Sequence, residues 1–510
     1  MKSYYKVFII ISGFVPLLML SVLFLEYINQ VIIPGDRWHY LDLSQNIFSD
    51  FFYYGGVQQF FFATDYSMAL PPLYPTIIAI FNLIFDIGIY AEYFLNFIAS
   101  ALTLLILIKI SQLLFKDKFL GIFIYFLILV QKVYWENIAI WIDTHSIFVL
   151  IVFFTMYLIL KKGTDNYRNV ALIGILCGLA TMQRFDFVLA SMVLGIVIFS
   201  DNFRLNVKKT TIYYIFYFIA ISPWIIHSYI RFGKFFASDN SGNLFSLEFI
   251  YPIGVYIEKP QTIIDDPFLW LYGTLGKIYH GTISLNSILS DETVPFLIII
   301  LLFSVYALFN KVQITKLETR SHRFMTVLLK YSLVFGTQFL TILLGGFHAS
   351  RYMITIRIFL IIFFIFIIFN LFHNSLRQRI KPFLASIIII IGGLFIWRHG
   401  KNINKIGFNM VNFELNQREQ SVVECLYENM DISKEEVLWY GNAYKVGALT
   451  DLRLVLMPWA QSATPENISW VIEKFGVEYF YVEDDLKYSY IFDDIKRTQL
   501  CELPVYRVEP

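Results

Sequence analysis

The sequence predicts an α-helical polytopic membrane protein with about eleven spanning helices, further helices on its outer surface, and a small C-terminal α/β soluble domain. Three observations carry this reading. Hydrophobic residues make up 57% of the 510 and charged residues 15%, against about 45–50% and about 25% in soluble domains. The apolar residues come in long runs: 296–309 (FLIIILLFSVYALF) and 386–397 (SIIIIIGGLFIW) hold no charge and no polar face. Only lipid or other helices can cover such a run on every side. Beyond residue 400 the composition turns ordinary, with short strand-like runs.

Spans are expected near 7–29, 92–109, 119–135, 143–160, 169–183, 185–200, 211–229, 294–310, 324–346, 353–373 and 383–398. Lys and Arg gather at alternate connections, as cytoplasmic loops require. These hold Lys2 and Lys6; Lys109, Lys116 and Lys118; Lys161, Lys162 and Arg168; Arg204, Lys208 and Lys209. Lys311, Lys316, Arg320 and Arg323 follow, and then Arg377, Arg379 and Lys381. The short outer connections hold chiefly Lys132, Arg184 and Arg351. The expected topology in the plasma membrane is therefore multi-pass, with the N-terminus cytoplasmic and the C-terminal domain outside. The first apolar run is too long for a signal peptide and lacks a small-residue cleavage site, so its retention is expected.

The expected domains are 1–399 in the membrane and 400–510 outside it. Two outer connections are long, 30–91 and 230–293. Within the first, PPLYPTIIAIFNLIF (71–85) is apolar but opens on Pro-Pro. Counting it as a span would break the charge alternation, so it reads as an interfacial helix. The second, rich in Gly, Asp, Tyr and Phe, reads as a lid at the bilayer face. In the tail, VLWYG (437–441), RLVLMPW (453–459) and EYFYVED (478–484) read as strands and PENISWVIEKFG (465–476) as a helix. Cys177 lies in an apolar run and reads as packing. Cys425 and Cys501 both fall in the tail, where an oxidising compartment would permit a disulfide without the sequence requiring one.

Lys and Arg number 40 and Asp and Glu 39, so no basic field for nucleic acid exists. GxGxxG, Walker, HExxH and paired CxxC motifs are absent from the sequence. Polar residues instead gather at the outer ends of spans: Asp36, Arg37, His39 and Tyr40; Glu136, Asn137 and Asp143; Gln183, Arg184 and Asp186; His227 and Arg231; His348, Arg351 and Tyr352. A pump would place carboxylates at mid-membrane. An enzyme acting on lipid headgroups would place its acids and bases at the surface, and this pattern is of that kind.

Asp36 follows a Pro-Gly turn, and it reads either as a base for an acceptor hydroxyl or as a helix cap. Asp143 is either a second acid of the site or the cap of a span. Arg184 is either a lipid-phosphate ligand or a snorkelling side chain, and Arg351-Tyr352 either a phosphate clamp or an interfacial pair. His39, His227 and His348 with Asp36 or Asp143 have the chemistry of a divalent-metal site, though their spacing does not impose one.

Five segments in order resemble the membrane glycosyltransferases of the GT-C superfamily, in the bacterial group of aminoarabinose transferase and protein-mannosyltransferase-like enzymes. They are GDRWHYLDLSQNIF (35–48), PPLYPTIIAIFNLIF (71–85), GILCGLATMQRFDFVL (174–189), SPWIIHSYIRFGKFFASDNSGNLF (222–245) and FHASRYMITIRIFLII (347–362). The resemblance covers about residues 1–375. It implies a transferase that takes sugar from a polyprenyl-phosphate-linked donor, with a lipid, glycan or protein acceptor at the outer face. Asp36 then matches the first-loop catalytic aspartate, Asp143 a second acidic position, Arg184 the arginine of the third motif, and Arg351-Tyr352 the late Arg-Tyr. Arg37, Tyr40, Arg231 and His348 join Arg184, Arg351 and Tyr352 as candidate substrate-binding residues. Arg37 departs from the family, which often has a second acid there, and Ser67-Met68-Ala69-Leu70 lacks the usual basic residue. A lipid-linked-saccharide flippase and a non-catalytic envelope scaffold are the alternatives from other classes.

The charge alternation makes a direct prediction. A topology reporter fused after residue 400 will be active outside the cytoplasm, and one fused within 314–320 will be active inside. Cytoplasmic activity of the C-terminal fusion would remove the outer-face assignment.

Overall fold

The computed structural model describes residues 2–28, 35–47, 57–58, 71–135, 144–163, 165–201, 204–232, 319–344, 354–371, 374–406, 415–431, 436–439, 443–450, 452–456, 465–482 and 495–509. The chain divides into two compact units. The first comprises 1–32, 90–224 and 275–411, and the second 33–89, 225–274 and 412–510. The expected span 294–310 and lid 230–293 lie, apart from 230–232, outside the described residues.

The first unit is helical. Its helices are α1 (Lys2–Tyr27), α4 (Ala91–Phe115), α5 (Phe119–Leu129), α6 (Lys132–Trp135), α7 (His145–Lys162), α8 (Tyr167–Gln183), α9 (Val188–Val197), α10 (Val207–Phe232, running past the unit's edge), α11 (Thr319–Leu344), α12 (Ile354–Leu371) and α13 (Asn374–Ile406). Most expected spans within the described residues coincide with a helix, because an apolar run in lipid must satisfy its own backbone. Among the described residues, five helices contain a stretch long and apolar enough to cross a membrane: 10–27, 91–115, 207–230, 324–342 and 381–403. The expected span 119–135 is instead divided between α5 and α6, and the 11 residues of α5 reach about 17 Å against a hydrocarbon core of about 30 Å.

Local signals set the ends. Asn166 caps α8 by accepting from the Arg168 amide at 2.9 Å. Gly163, at φ +67°, ends α7. The Lys330 ammonium on α11 donates to the Ser200 carbonyl at 2.6 Å, answering the backbone beyond α9.

Helices α1 and α13 run side by side in the same direction. Val15 lies against Gly392, and Glu26 bonds His399. The two C-terminal ends are therefore neighbours. Near its start, α13 meets the α4–α5 connection through the Lys381–Asp117 ion pair, joining two connections that the charge pattern assigns to one face. Helix α8 carries Gly174 and Gly178 one turn apart, and α10 approaches both. A Cβ on Gly178 would stand 2.5 Å from the Ala220 Cβ and 2.8 Å from the Tyr217 carbonyl. Small residues so spaced let backbones close in where no hydrophobic effect drives helices together.

The second unit contains α2 (Gly35–Asn46), β1 (Val57–Gln58), α3 (Leu73–Phe85), α14 (Gln417–Asn429), β4 (Glu436–Trp439), α15 (Ala443–Leu449), β5 (Leu454–Leu456), α16 (Pro465–Phe475), β6 (Val477–Tyr481), β7 (Arg497–Leu500) and β8 (Val505–Val508). A separate hairpin in the first unit pairs β2 (Ser200–Asp201) with β3 (Arg204–Leu205). The 13 residues of α3 extend about 20 Å, short of a bilayer core. Tyr74 and Ile78 of α3 are buried, whereas Leu83, Ile84 and Phe85 are exposed.

The second unit's sheet has the order β1-β5-β4-β6-β8-β7, parallel from β1 to β6 and antiparallel after it. The expected strands and helix of the tail are β4, β5, β6 and α16. Both faces are covered, so alternate strand residues enter different cores. Val437, Trp439, Tyr479 and Tyr481 pack with α14 and α15. Leu438, Val455 and Phe480 pack with Ile468 and Val471 of α16. Helix α14 opens on a capping box between Asn416 and Glu419. Cys425 and Cys501 form a disulfide joining α14 to the β7–β8 turn.

Crowding at Gly178 sets a stability test. Gly178→Leu will lower the thermal stability of the detergent-solubilised protein by about 1–3 kcal/mol or more, the cost of overpacking. Gly393→Ala, where an added Cβ meets nothing within 4 Å, will be neutral or slightly stabilising. Equal melting temperatures for both variants would remove the close α8–α10 contact.

Candidate functional site

Helix α8 stops at Gln183 because Arg184 turns extended, at φ −151° and ψ 113°, before a short 3-10 turn, Phe185–Phe187, leads into α9. This break puts a guanidinium inside the first unit. Arg184 is 6% exposed, and its Nε donates to Asp186 Oδ1 at 2.9 Å. A second, longer contact joins Nη2 to Oδ2 at 3.4 Å, so the pair meets two-pronged. The guanidinium also lies 5.6 Å from the centroid of the Phe148 ring.

Arg184 Nη1 bonds Nε2 of His145, in the first turn of α7. A guanidinium only donates, so in this contact Nε2 is the acceptor. Beside it, Gln183 Nε2 donates to the Thr144 carbonyl at 3.0 Å. The network continues from Asp186 Oδ2 to Gln338 Nε2 of α11 at 3.5 Å. The Thr355 hydroxyl of α12 donates to Gln338 Oε1 at 3.3 Å. Gln183 and Gln338 are fully enclosed, and Thr144, His145 and Thr355 are nearly so. Four stretches of chain thus answer one another around a charge that the apolar interior would otherwise reject.

A second polar knot lies where α1 and α13 end together. Glu26 and His399 are buried and paired through Oε2 and Nδ1, and Asn402 Nδ2 donates to Glu26 Oε1 at 2.6 Å. Trp135 presents its edge to His399 at 5.4 Å and stacks on Tyr27 at 5.9 Å. Both ionisable residues fall within span-length apolar stretches.

Of the residues singled out by sequence, Arg184 is at the centre of the first network. Asp143 lies outside the described residues, but its neighbours Thr144 and His145 reach Gln183 and Arg184. Asp36 and Arg37 are the second and third residues of α2, within a helical turn. Tyr40 of α2 is buried edge-on against Tyr74 of α3, at 4.9 Å. Arg231 is the penultimate residue of α10, and His227 is buried one turn earlier. His348, Arg351 and Tyr352 lie outside the described residues. Among the described residues no three His, Cys, Asp or Glu side chains gather as metal ligands.

Sequence reasoning passed over His145, Gln338 and Thr355, and also Glu26 and His399. His145 and Glu26 had a visible signal, an ionisable group at the edge of an apolar run. Gln338 and Thr355 had none, being ordinary polar residues in long helices.

Residues 69–227 match the family of dolichyl-phosphate-mannose-protein mannosyltransferases. The match contains the α8–α9 break, Arg184, Asp186 and His145, and it agrees over this segment with the resemblance read from the motifs. The chain is also similar to the archaeal oligosaccharyltransferase AglB from Archaeoglobus fulgidus, solved with an inhibitory peptide and a dolichol-phosphate. That similarity has 12% identity, covers 94% of this chain and 69% of that one, and has a TM-score of 0.47. ArnT from Cupriavidus metallidurans, solved with undecaprenyl phosphate, is similar at 10% identity over 99% of this chain and 98% of that one, with a TM-score of 0.47. No curated protein matches the chain by sequence.

The buried pair makes a prediction that a surface pair would not. Asp186→Ala, which leaves the guanidinium without its carboxylate, will cost about 3–5 kcal/mol. The double variant Arg184→Met with Asp186→Leu will cost less than that single change, read as thermal stability in detergent. A double variant less stable than Asp186→Ala would show that the pair stabilises the bundle outright.

Proposed function

We propose that this multi-pass membrane protein is a glycosyltransferase that moves a sugar from a polyprenyl-phosphate-linked donor to an acceptor at the outer face of the plasma membrane. The observation that carries the proposal is the family match over residues 69–227, whose description names a dolichyl-phosphate-linked donor. Two further features support the orientation. Parallel α1 and α13 direct the chain after each toward the same face of the bilayer, as an odd number of crossings requires. The Cys425–Cys501 disulfide suits an oxidising compartment for the tail.

In the proposed reaction Asp36 accepts the proton of the acceptor nucleophile as it attacks the anomeric carbon. The bond between that carbon and the phosphate oxygen breaks, and polyprenyl phosphate departs as an anion. Arg351 and Arg184 stabilise its charge, with Tyr40, Arg37, Arg231, His348 and Tyr352 assigned to substrate binding and Asp143 to the second acid. Asp186 and His145 hold Arg184 in place, so its field reaches substrate from a fixed direction. The phosphate is itself the leaving group, so the reaction calls for no nucleotide.

Asp36→Asn tests the reading. The change removes the charge and the basicity but keeps the size, and transfer should fall by about 10²–10⁴-fold. Asp36 is in the first turn of α2 and not at its N-cap, and Asn matches it in size, so membrane levels and melting temperature should stay near those of the unaltered protein. The measurement is transfer of label from the radiolabelled polyprenyl-phosphate-sugar fraction of the native cells into acceptor, at equal protein. Near-normal transfer by the variant would leave Asp143 as the candidate base. No transfer by either folded protein with acceptor present would favour the flippase or scaffold reading.

A further inference from the structure

The sheet of the second unit is completed by chain from far outside the tail. Strand β1, from the connection between α1 and α4, lies parallel to β5, with Val57 opposite Leu454 and Gln58 opposite Val455. It converts β5 from an edge strand into an interior one. From the same connection, α2 packs against α15, the helix between β4 and β5, and against α3. The strand and the helix thus reach the same corner of the sheet independently.

Helix α2 needs this support. Its 12 residues, GDRWHYLDLSQN, begin with Gly and are polar on average, and isolated helices shorter than about 12–15 residues are marginal even when rich in alanine. Its order must come from its surroundings. Tyr40, Leu41, Asp42, Leu43 and Ser44 are buried in succession, so the middle of the helix is enclosed, while Gln45 beyond it is exposed. Asp42, at 0% exposure, carries a carboxylate that is costly to bury unless it is answered there. A helix enclosed in this way has a fixed place, and Asp36 is in its first turn.

We propose that the C-terminal sheet is a positioning element for the transfer reaction: it holds the Asp36 helix by accepting β1 as its edge strand and by packing α15 on α2. The proposal rests on Asp36 being the base. No residue of the tail contacts the reacting atoms in this scheme. The tail acts through α2, and its effect falls on the rate of the chemical step and not on donor affinity.

The test uses the full-length protein in lipid nanodiscs. Gln58→Pro removes a backbone N–H from β1 and restricts its φ. It should lower kcat by about 10²-fold, the cost of about 1 Å of misplacement, while KM for the labelled polyprenyl-phosphate-sugar fraction stays within about threefold. Hydrogen exchange should show lost protection across 36–46, with the melting temperature of the membrane helices unchanged. Because Gln58→Pro alone could disturb folding, the pair Val57→Cys with Leu454→Cys supplies the second arm. Its cross-link should form on oxidation and keep both the rate and the protection. Normal kcat and protection in Gln58→Pro would overturn the proposal, as would a cross-linked protein that is folded but inactive. If Asp36→Asn transfers normally while Gln58→Pro still loses protection, the base assignment fails and the structural tie stands.

Discussion

A charge inside a helical membrane bundle persists only where other side chains answer it, and the arrangement of this bundle follows that constraint. Arg184 is enclosed, so Asp186 must stand beside it, and the α8–α9 break is what brings the two together across one intervening residue. Once that pair exists, its remaining hydrogen-bonding capacity recruits His145 from α7 and Gln338 from α11. Thr355 of α12 then completes Gln338. Purely apolar helices would pack in many registers of similar energy, whereas a polar network has few satisfied arrangements. The Glu26–His399 pair does the same for α1 and α13, selecting a parallel alignment in which their C-terminal ends meet.

Close backbone packing reinforces these choices. Lipid competes for apolar side chains, so helices gain from contact mainly where their backbones come close. Gly174 and Gly178 allow this for α8 and α10, and Gly392 allows it for α1 and α13. The network decides which helices meet, and the small residues decide how tightly.

The second unit is assembled from chain that is remote in sequence. Val57 and Leu454 are about 400 residues apart, a separation whose closure in a flexible chain costs about 5 kcal/mol. A folded bundle reduces that cost by fixing where its connections emerge. The six-stranded sheet can therefore be completed only after the last spanning helix has been made. A disulfide over 76 residues within the tail further restricts the unfolded tail, by about 4–5 kcal/mol in the chain-entropy account.

The sequence by itself determined the class of protein, the positions of most helices, and three strands and one helix of the tail. These depend on local quantities: the length of an apolar run, a Pro-Pro start, the early Pro and Glu and the Gly stop of PENISWVIEKFG, and the short apolar run of VLWYG closed by Gly. It also marked Arg184, because a charge interrupting an apolar run is visible without any partner. The tertiary structure alone decided who answers that charge, since Asp186 is two residues away but His145 and Gln338 are 39 and 152 away. It likewise broke the expected span 119–135 into α5 and α6, and it gave the tail's sheet a strand from the first connection. Two residues such as Val57 and Gln58 hold no pattern that names a partner; backbone hydrogen bonding accepts any sequence, and only the folded neighbourhood selects which edge they join.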